Sequence, residues 1–563
     1  MPKRPHPPPT RRKKTPKAPE TADEYLAVAV DLEESGERWR SGDVAKSGRF
    51  FLQAITAYET TLARYPNNFD ARYNRARLLY TLTQLPLPST FFPPTSTPES
   101  RLITAIQAHK ECNDQEPDSS DVLFNYGQTL ASLAELYANK SFDTDDVETA
   151  DQELQRLTQA KAAFENSWEV LKQCLAVQEE EFKSTLAQSQ AFNGVEDYDP
   201  ADTDAMGEEP DGGVRLPSDS FPSGSGNGND TARRRNSTAS SHSSSSSLNN
   251  TQWAAIVEPT TKLTLLDTAL AMLEVHTNIL SLATPLTASK LFSQQYIEQL
   301  TGTARVTIEE YILPIAASLH SENILEGEEL SEHETEAVLH HANYLTGLAE
   351  VKYYLGFVDM SVWEQEVKNA FAKYCLFAGN ADNDGNTNNT RMVDLSTSWM
   401  ALCDLSTAYT TIATAIAAQD PSRAWRLAGL ASKGLAEATK LAPEKGKPEV
   451  YLARGNLELV RSRIPVEAAE GSRGLLRKNA GVYYRGVVTA STSGMIGAVE
   501  GGRVKEVVEE AKVKEMLIRV EVGDAAAGKE LVGSGVEAAT VRRIVRAAID
   551  EGVFGNSMLE IVG

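Results

Sequence analysis

The sequence is short of cysteine, of long apolar runs and of compact catalytic motifs, and each shortage removes a class of function. Four cysteines stand in 563 residues: Cys112, Cys174, Cys375 and Cys403. They are far apart, and no pair has the C-x-x-C spacing of metal or redox sites. They read as small core residues of a reducing compartment. No stretch approaches the roughly 18 to 20 consecutive apolar residues that span a bilayer, and no apolar segment follows the basic N-terminus as it would in a secretory signal. A protein neither secreted nor embedded is expected, so the Asn139-Lys-Ser sequon goes unused. Positive charge is also scarce, with 55 Lys and Arg against 78 Asp and Glu and a net charge of −23. That balance argues against a membrane or sequence-specific nucleic acid and for a basic protein as partner.

Catalytic signatures are missing too. There is no G-x-x-x-x-G-K-[ST], no H-E-x-x-H, no G-x-S-x-G, and no G-x-G-x-x-G opening a helix after a strand. Gly224, Gly226 and Gly228 fall in low-complexity sequence. Glu336 and His340 share a helix face, with His333 and His341 nearby, but one helix without a second cluster fits a solvated face better than a metal. Adjacent acids such as Glu179 to Glu181, or Glu509 and Glu510, do not face one another on a helix. No enzyme, metal or cofactor is expected.

What is present begins with a tail. The first twenty residues hold Lys3, Arg4, Arg11, Arg12, Lys13, Lys14 and Lys17 among prolines, with little that could pack. Lys3-Arg4 and Arg11 to Lys14 have nearly the spacing of a bipartite nuclear-import signal, which predicts residence in nucleus and cytoplasm; a weak RNA-binding or solubilising arm is the alternative. With seven basic side chains and one acidic in this tail, the remaining body is more negative than the whole. Residues 194–250 run from an acidic stretch into Ser, Gly and Asn, as a disordered linker does. Within it Arg233-Arg-Arg235-Asn-Ser237 has basophilic-kinase spacing and marks Ser237 as a possible phosphosite. Asn380 to Asn389 reads as a surface loop.

Between these segments the apolar pattern is helical, and it repeats. Ala54, Tyr58, Thr61 and Pro66 stand at offsets 0, 4, 7 and 12; so do Ala105, His109, Cys112 and Pro117, and again Ala431, Leu435, Ala438 and Pro443. Small residues let antiparallel helices approach, the residue at offset 4 fills the space between them, and proline ends the helix. Each proline is followed by a second pattern: Tyr73-Asn74-Arg-Ala76, Leu123-Phe-Asn125-Tyr126-Gly127, and Tyr451-Leu-Ala-Arg-Gly455.

These segments resemble the first and second helices of the tetratricopeptide repeat (TPR) superfamily, over roughly residues 30 to 180 and 395 to 465. Residues 253 to 376 look like degenerate repeats, as in Ala342 to Gly356 followed by Trp363 to Phe371. The spacing of Gly42-Asp43 to Ala54 implies a lengthened helix, and Leu85 to Pro98 a Pro-rich inserted loop. The fold expected is all-α, a TPR-like antiparallel helix-pair solenoid with a disordered tail and a disordered insertion. Its parts are a basic tail (1–21), an N-terminal TPR-like block (22–193), a linker (194–250), a second TPR-like block (251–465) and C-terminal capping helices (466–563). The leading Met-Pro-Lys-Arg-Pro on an acidic helical body also resembles fungal nuclear TPR-like adaptors linked to translation termination.

The resemblance implies a non-enzymatic scaffold whose first helices line a concave groove. Asn74 and Asn125 match the asparagine column of the TPR carboxylate clamp, but Tyr73 stands where its lysine would, and the third repeat's first helix is expected to run into the acidic linker. Arg72, Tyr73, Asn74, Arg77, Asn125 and Tyr126 are the candidate groove residues, with capping of polar groups between helices as the alternative for the asparagines. An adaptor or assembly chaperone for a basic client, such as a ribosomal protein or histone, is the leading functional expectation. A structural subunit of a larger stable complex is the second.

Overall fold

The computed structural model describes residues 19–139, 149–193, 259–321, 328–375, 398–444, 446–492, 501–532, 536, 538–550, 554 and 558. Nineteen α-helices and no strands are found among the described residues. They are α1 (Ala22–Arg40), α2 (Val44–Arg64), α3 (Phe69–Gln84), α4 (Pro98–Gln115), α5 (Ser120–Ala138), α6 (Ala150–Asn193), α7 (Lys262–Ser281), α8 (Ala288–Leu291) and α9 (Gln294–Val306). A π turn at Thr307–Ile312 joins α9 to α10 (Leu313–Ser321), then come α11 (Glu328–Tyr354), α12 (Met360–Cys375), α13 (Trp399–Ile416) and α14 (Pro421–Leu441). The series closes with α15 (Lys447–Arg463), α16 (Glu467–Thr492), α17 (Gly501–Glu521), α18 (Ala525–Val532) and α19 (Ala538–Asp550).

Local chemistry sets the helix ends. Asp43, Asn68, Thr97 and Asp420 each accept a main-chain N–H of the first turn, which caps α2, α3, α4 and α14. The three repeat prolines follow the C-caps Tyr65, Glu116 and Ala442 directly. A residue before proline is driven out of the α region, and these caps have ψ of 74°, 84° and 129°. The helix therefore stops where the template places its proline.

The other template positions form the contact between helices. Ala54, Tyr58, Thr61, Ala105, His109, Cys112, Ala431, Leu435 and Ala438 are all buried. Helices pack as the antiparallel pairs α1/α2, α3/α4, α5/α6, α11/α12, α13/α14 and α15/α16, a TPR-like arrangement. Close approach requires glycine at two equivalent points: a Cβ at Gly127 would lie 2.7 Å from the Leu171 side chain, and one at Gly455 2.4 Å from Tyr484. The Gly127 contact makes α6 the second helix of the pair begun by α5. Residues 150–193 are thus not the third repeat's first helix running on toward the acidic segment.

Helices of successive pairs also meet, α3 on α5, α5 on α7, α7 on α11 across the short helices α8 to α10, α11 on α13, α13 on α15 and α15 on α17. First helices that touch in series form the inner layer of a curving array. The series crosses the interval 194–258, because α6 packs along α7 and one apolar cluster holds Ala134, Phe164, Leu171, Leu266, Leu273 and Leu348. A second cluster joins Trp363, Ile412, Leu427 and Leu457, and a third joins Leu459, Tyr484, Leu517 and Val545.

Candidate functional site

The groove residues read from the sequence lie on α3 and α5, and much of their polar chemistry is spent between helices. Tyr73 is buried; Asn125 Nδ2 donates to its hydroxyl at 3.0 Å and to the Asp121 carbonyl at 2.8 Å. Burial pushes the Tyr73 hydroxyl well above the usual phenol range. Arg77 reaches across to Glu33 of α1, whose Oε2 also accepts the Tyr58 hydroxyl at 2.7 Å. Arg72 donates to the Pro66 carbonyl. Asn74 is half-buried beside Tyr58, and Tyr126 is half-buried on α5. Tyr73, Arg77 and Asn125 thus act as interhelix locks, whereas Arg72 bonds the turn before its own helix and Tyr126 remains half-buried on α5. The lysine-and-asparagine clamp has no counterpart in this geometry, since the residue in the lysine position is a buried tyrosine.

The same inner layer carries residues that sequence reasoning passed over. Tyr80 of α3 meets Ser132 of α5 at 3.0 Å. One turn further along α5, Glu135 lies beside Glu274 of α7. Its recessed setting, and then the Glu274 carboxylate, raise the Glu135 pKa above the usual carboxylate range. α7 is apolar almost all round, yet it exposes Asp267 and Glu274, seven residues apart and so on one face. That spacing was a readable signal, masked by the apolar character of the rest of the helix. Further along, Asn343 donates to Asp404 at 2.8 Å between α11 and α13, and Arg463 meets Glu521 at 3.3 Å between α15 and α17.

Two clefts open between helices distant in sequence. One, of about 500 Å³, is lined by Ile297, Thr301 and Arg305 of α9, by Lys352 of α11 and by Phe357. The other, of about 180 Å³, lies between Trp168 of α6, His276 of α7 and Tyr296 of α9. Burial pushes His276 down to about 4, so its ring is neutral at physiological pH.

Other charged clusters are structural. Glu364 of α12 is buried, with Lys368 at 2.6 Å, Arg423 at 2.5 Å and Arg426 at 2.7 Å. Burial opposes its charge, but these three cations outweigh it and bring the carboxyl down to about 2. His333 stands 3.9 Å from Glu336, and among the described residues no group of three or more His, Cys, Asp or Glu could hold a metal. No helix among the described residues is long and apolar enough to cross a membrane. Lys3, Arg4, Arg11, Arg12, Lys13, Lys14, Ser237 and the segment Asn380 to Asn389 lie outside the described residues.

No family model matches the chain. It is 34% identical over 149 residues to UPF0656 protein C926.02 of Schizosaccharomyces pombe, an alignment covering 26% of this chain and 31% of that protein. It is 33% identical over 75 residues to Uncharacterized protein YNL193W of Saccharomyces cerevisiae, 13% of each chain. The match therefore spans less than a third of either relative's length. A superposition on the crystal structure of yeast Tom70 covers 95% of this chain and 98% of that one at 10% identity and a TM-score of 0.22, which is too loose to bear on the fold.

Proposed function

We propose that this chain holds another protein, acting in nucleus and cytoplasm as a non-enzymatic TPR-type adaptor or assembly chaperone for a basic client such as a ribosomal protein or histone. The observation that carries this reading is the inner layer of first helices, where Glu135 and Glu274 come together and Asp267 and Glu274 line one face of α7. Two carboxylates close enough to raise a pKa repel each other, and a cation placed against them relieves that repulsion. The net charge of −23 adds a long-range attraction for basic chains. The test is purification of the tagged chain at low and high salt, with mass spectrometry of what co-elutes. Basic ribosomal or histone proteins released by salt support the reading, and a fixed set of partners that survives salt overturns it.

A second reading, a structural subunit of a larger complex, draws on α16. Leu475 is 61% and Val482 50% exposed there, seven residues apart on one face. Aliphatics left in water along one helix face suit a permanent interface better than an exchangeable one. The salt-resistant outcome would favour it.

A further inference from the structure

The 180 Å³ cleft between α6, α7 and α9 contains polar atoms that the fold leaves unsatisfied. His276 is 2% exposed, stacks on Trp168 at 5.4 Å between ring centres, and its Nδ1 is enclosed without a hydrogen bond. The Trp168 Nε1 is likewise enclosed and unbonded. Each enclosed polar atom without a partner costs about 1 to 3 kcal/mol of desolvation, and two of them side by side at one cleft offer a ligand or an ordered solvent molecule something to satisfy. Its volume is below the roughly 300 Å³ at which small-molecule pockets begin, and it suits a single side chain.

The lining tells which side chain. It includes Glu165 and Glu169 and no cation. Glu165 is already engaged with Lys161 at 2.7 Å, whereas Glu169 is exposed and has no ion pair or hydrogen bond among the described residues. Gln299 and Thr303 add acceptors at the mouth. Lys161 stands 3.9 Å over the Tyr296 ring and Lys172 5.0 Å over Trp168, so both rings already attract cations. We propose that this cleft takes the side chain of one arginine presented by a basic partner. A guanidinium has five donors in a rigid fork and no acceptor, which matches the Glu169 carboxylate, the oxygens of Gln299 and Thr303, and an imidazole nitrogen. The carbonyl beside that arginine supplies the acceptor that Trp168 Nε1–H needs. Lysine, a point charge on a flexible stem, lacks the planar fork that matches several acceptors together. The inference rests on the basic-client reading and adds a residue preference to it.

The test is titration of the full chain with N-acetylarginine amide, followed by tryptophan fluorescence and by saturation-transfer NMR, against N-acetyllysine amide and N-acetylcitrulline amide. Saturable binding of the arginine compound in the millimolar range is expected, at least fivefold tighter than either control. Glu169→Gln should weaken it about tenfold. Gln299→Trp should block it, and Trp168→Phe should remove the fluorescence change; Glu169 and Gln299 are exposed, so both of those variants should fold. Equal, unsaturating responses to arginine and lysine, or binding unaltered by Glu169→Gln and Gln299→Trp, would overturn the proposal. Its failure is distinct from failure of the basic-client reading, because salt-sensitive capture of basic proteins by the wild-type chain is measured separately and does not need this cleft.

Discussion

Gly127 of α5 faces Leu171 of α6 so closely that a Cβ would lie 2.7 Å from the leucine side chain. Gly127→Ala should therefore cost about 1 to 3 kcal/mol, because either the leucine leaves its rotamer or the helices separate. Gly429→Ala is the control, since nothing lies within 4 Å of a Cβ there. In a helix interior that change should be neutral or stabilise by up to about 1 kcal/mol. Denaturant unfolding of both variants measures the difference; equal effects would mean that the α5/α6 contact is looser than described.

Arg77 and Glu33 tie α3 to α1 with side chains only 16% and 10% exposed. Arg77→Ala should destabilise by about 3 to 5 kcal/mol, because it leaves the Glu33 carboxylate enclosed with only the Tyr58 hydroxyl as donor. Arg77→Ala combined with Glu33→Leu should recover much of that loss. A double-mutant cycle read by thermal unfolding checks the coupling.

Acid should loosen the fold as the unfolded chain's counterparts of its buried histidines take up protons. Burial holds His109 and His276 at about 4, against an ordinary value of 6.5. Both stay neutral in the folded state while the unfolded chain takes up protons, so their contribution is complete above about pH 6.5 and is lost as pH falls toward 4. Each should give a slope of about 1.4 kcal/mol per pH unit in that window. Glu364 is held at about 2, so its contribution is lost only at lower pH. Unfolding free energies from pH 7 to 4.5, with His109→Gln removing half the slope, test this.

The paired carboxylates of the inner layer should matter for client capture more than for stability. Glu135→Gln with Glu274→Gln should weaken binding of a polylysine probe about two- to fivefold, the loss expected for one or two exposed ion pairs. The salt dependence of binding should become shallower, while the unfolding midpoint should hold or rise slightly as their mutual repulsion disappears. Isothermal titration at two salt concentrations separates this from a general effect of charge.

Helix positions were legible because their causes are local. Offsets 0, 4 and 7 put three residues on one helix face, and a proline at offset 12 does not fit the interior of that helix; Ala54, Tyr58, Thr61 and Pro66 stand accordingly. The candidate site was less legible. Tyr73, Arg77 and Asn125 looked like wall residues of a groove, and their partners Asn125, Glu33 and Tyr73 lie 52, 44 and 52 residues away. A polar residue on a first helix has the same pattern whether it faces a ligand or another helix, so periodicity could not separate the two.

The sequence by itself determined that the body is helical, where the repeat helices stop at their prolines, and that the body is acidic, since capping, proline stereochemistry and charge act within a few residues or by simple sum. Only the tertiary structure decided that α6 pairs with α5, that α7 carries the inner layer across residues 194–258, and that Trp168, His276 and Glu169 share a cleft. Those outcomes depend on which apolar face covers which, and every helix in the chain offers an apolar face of much the same kind.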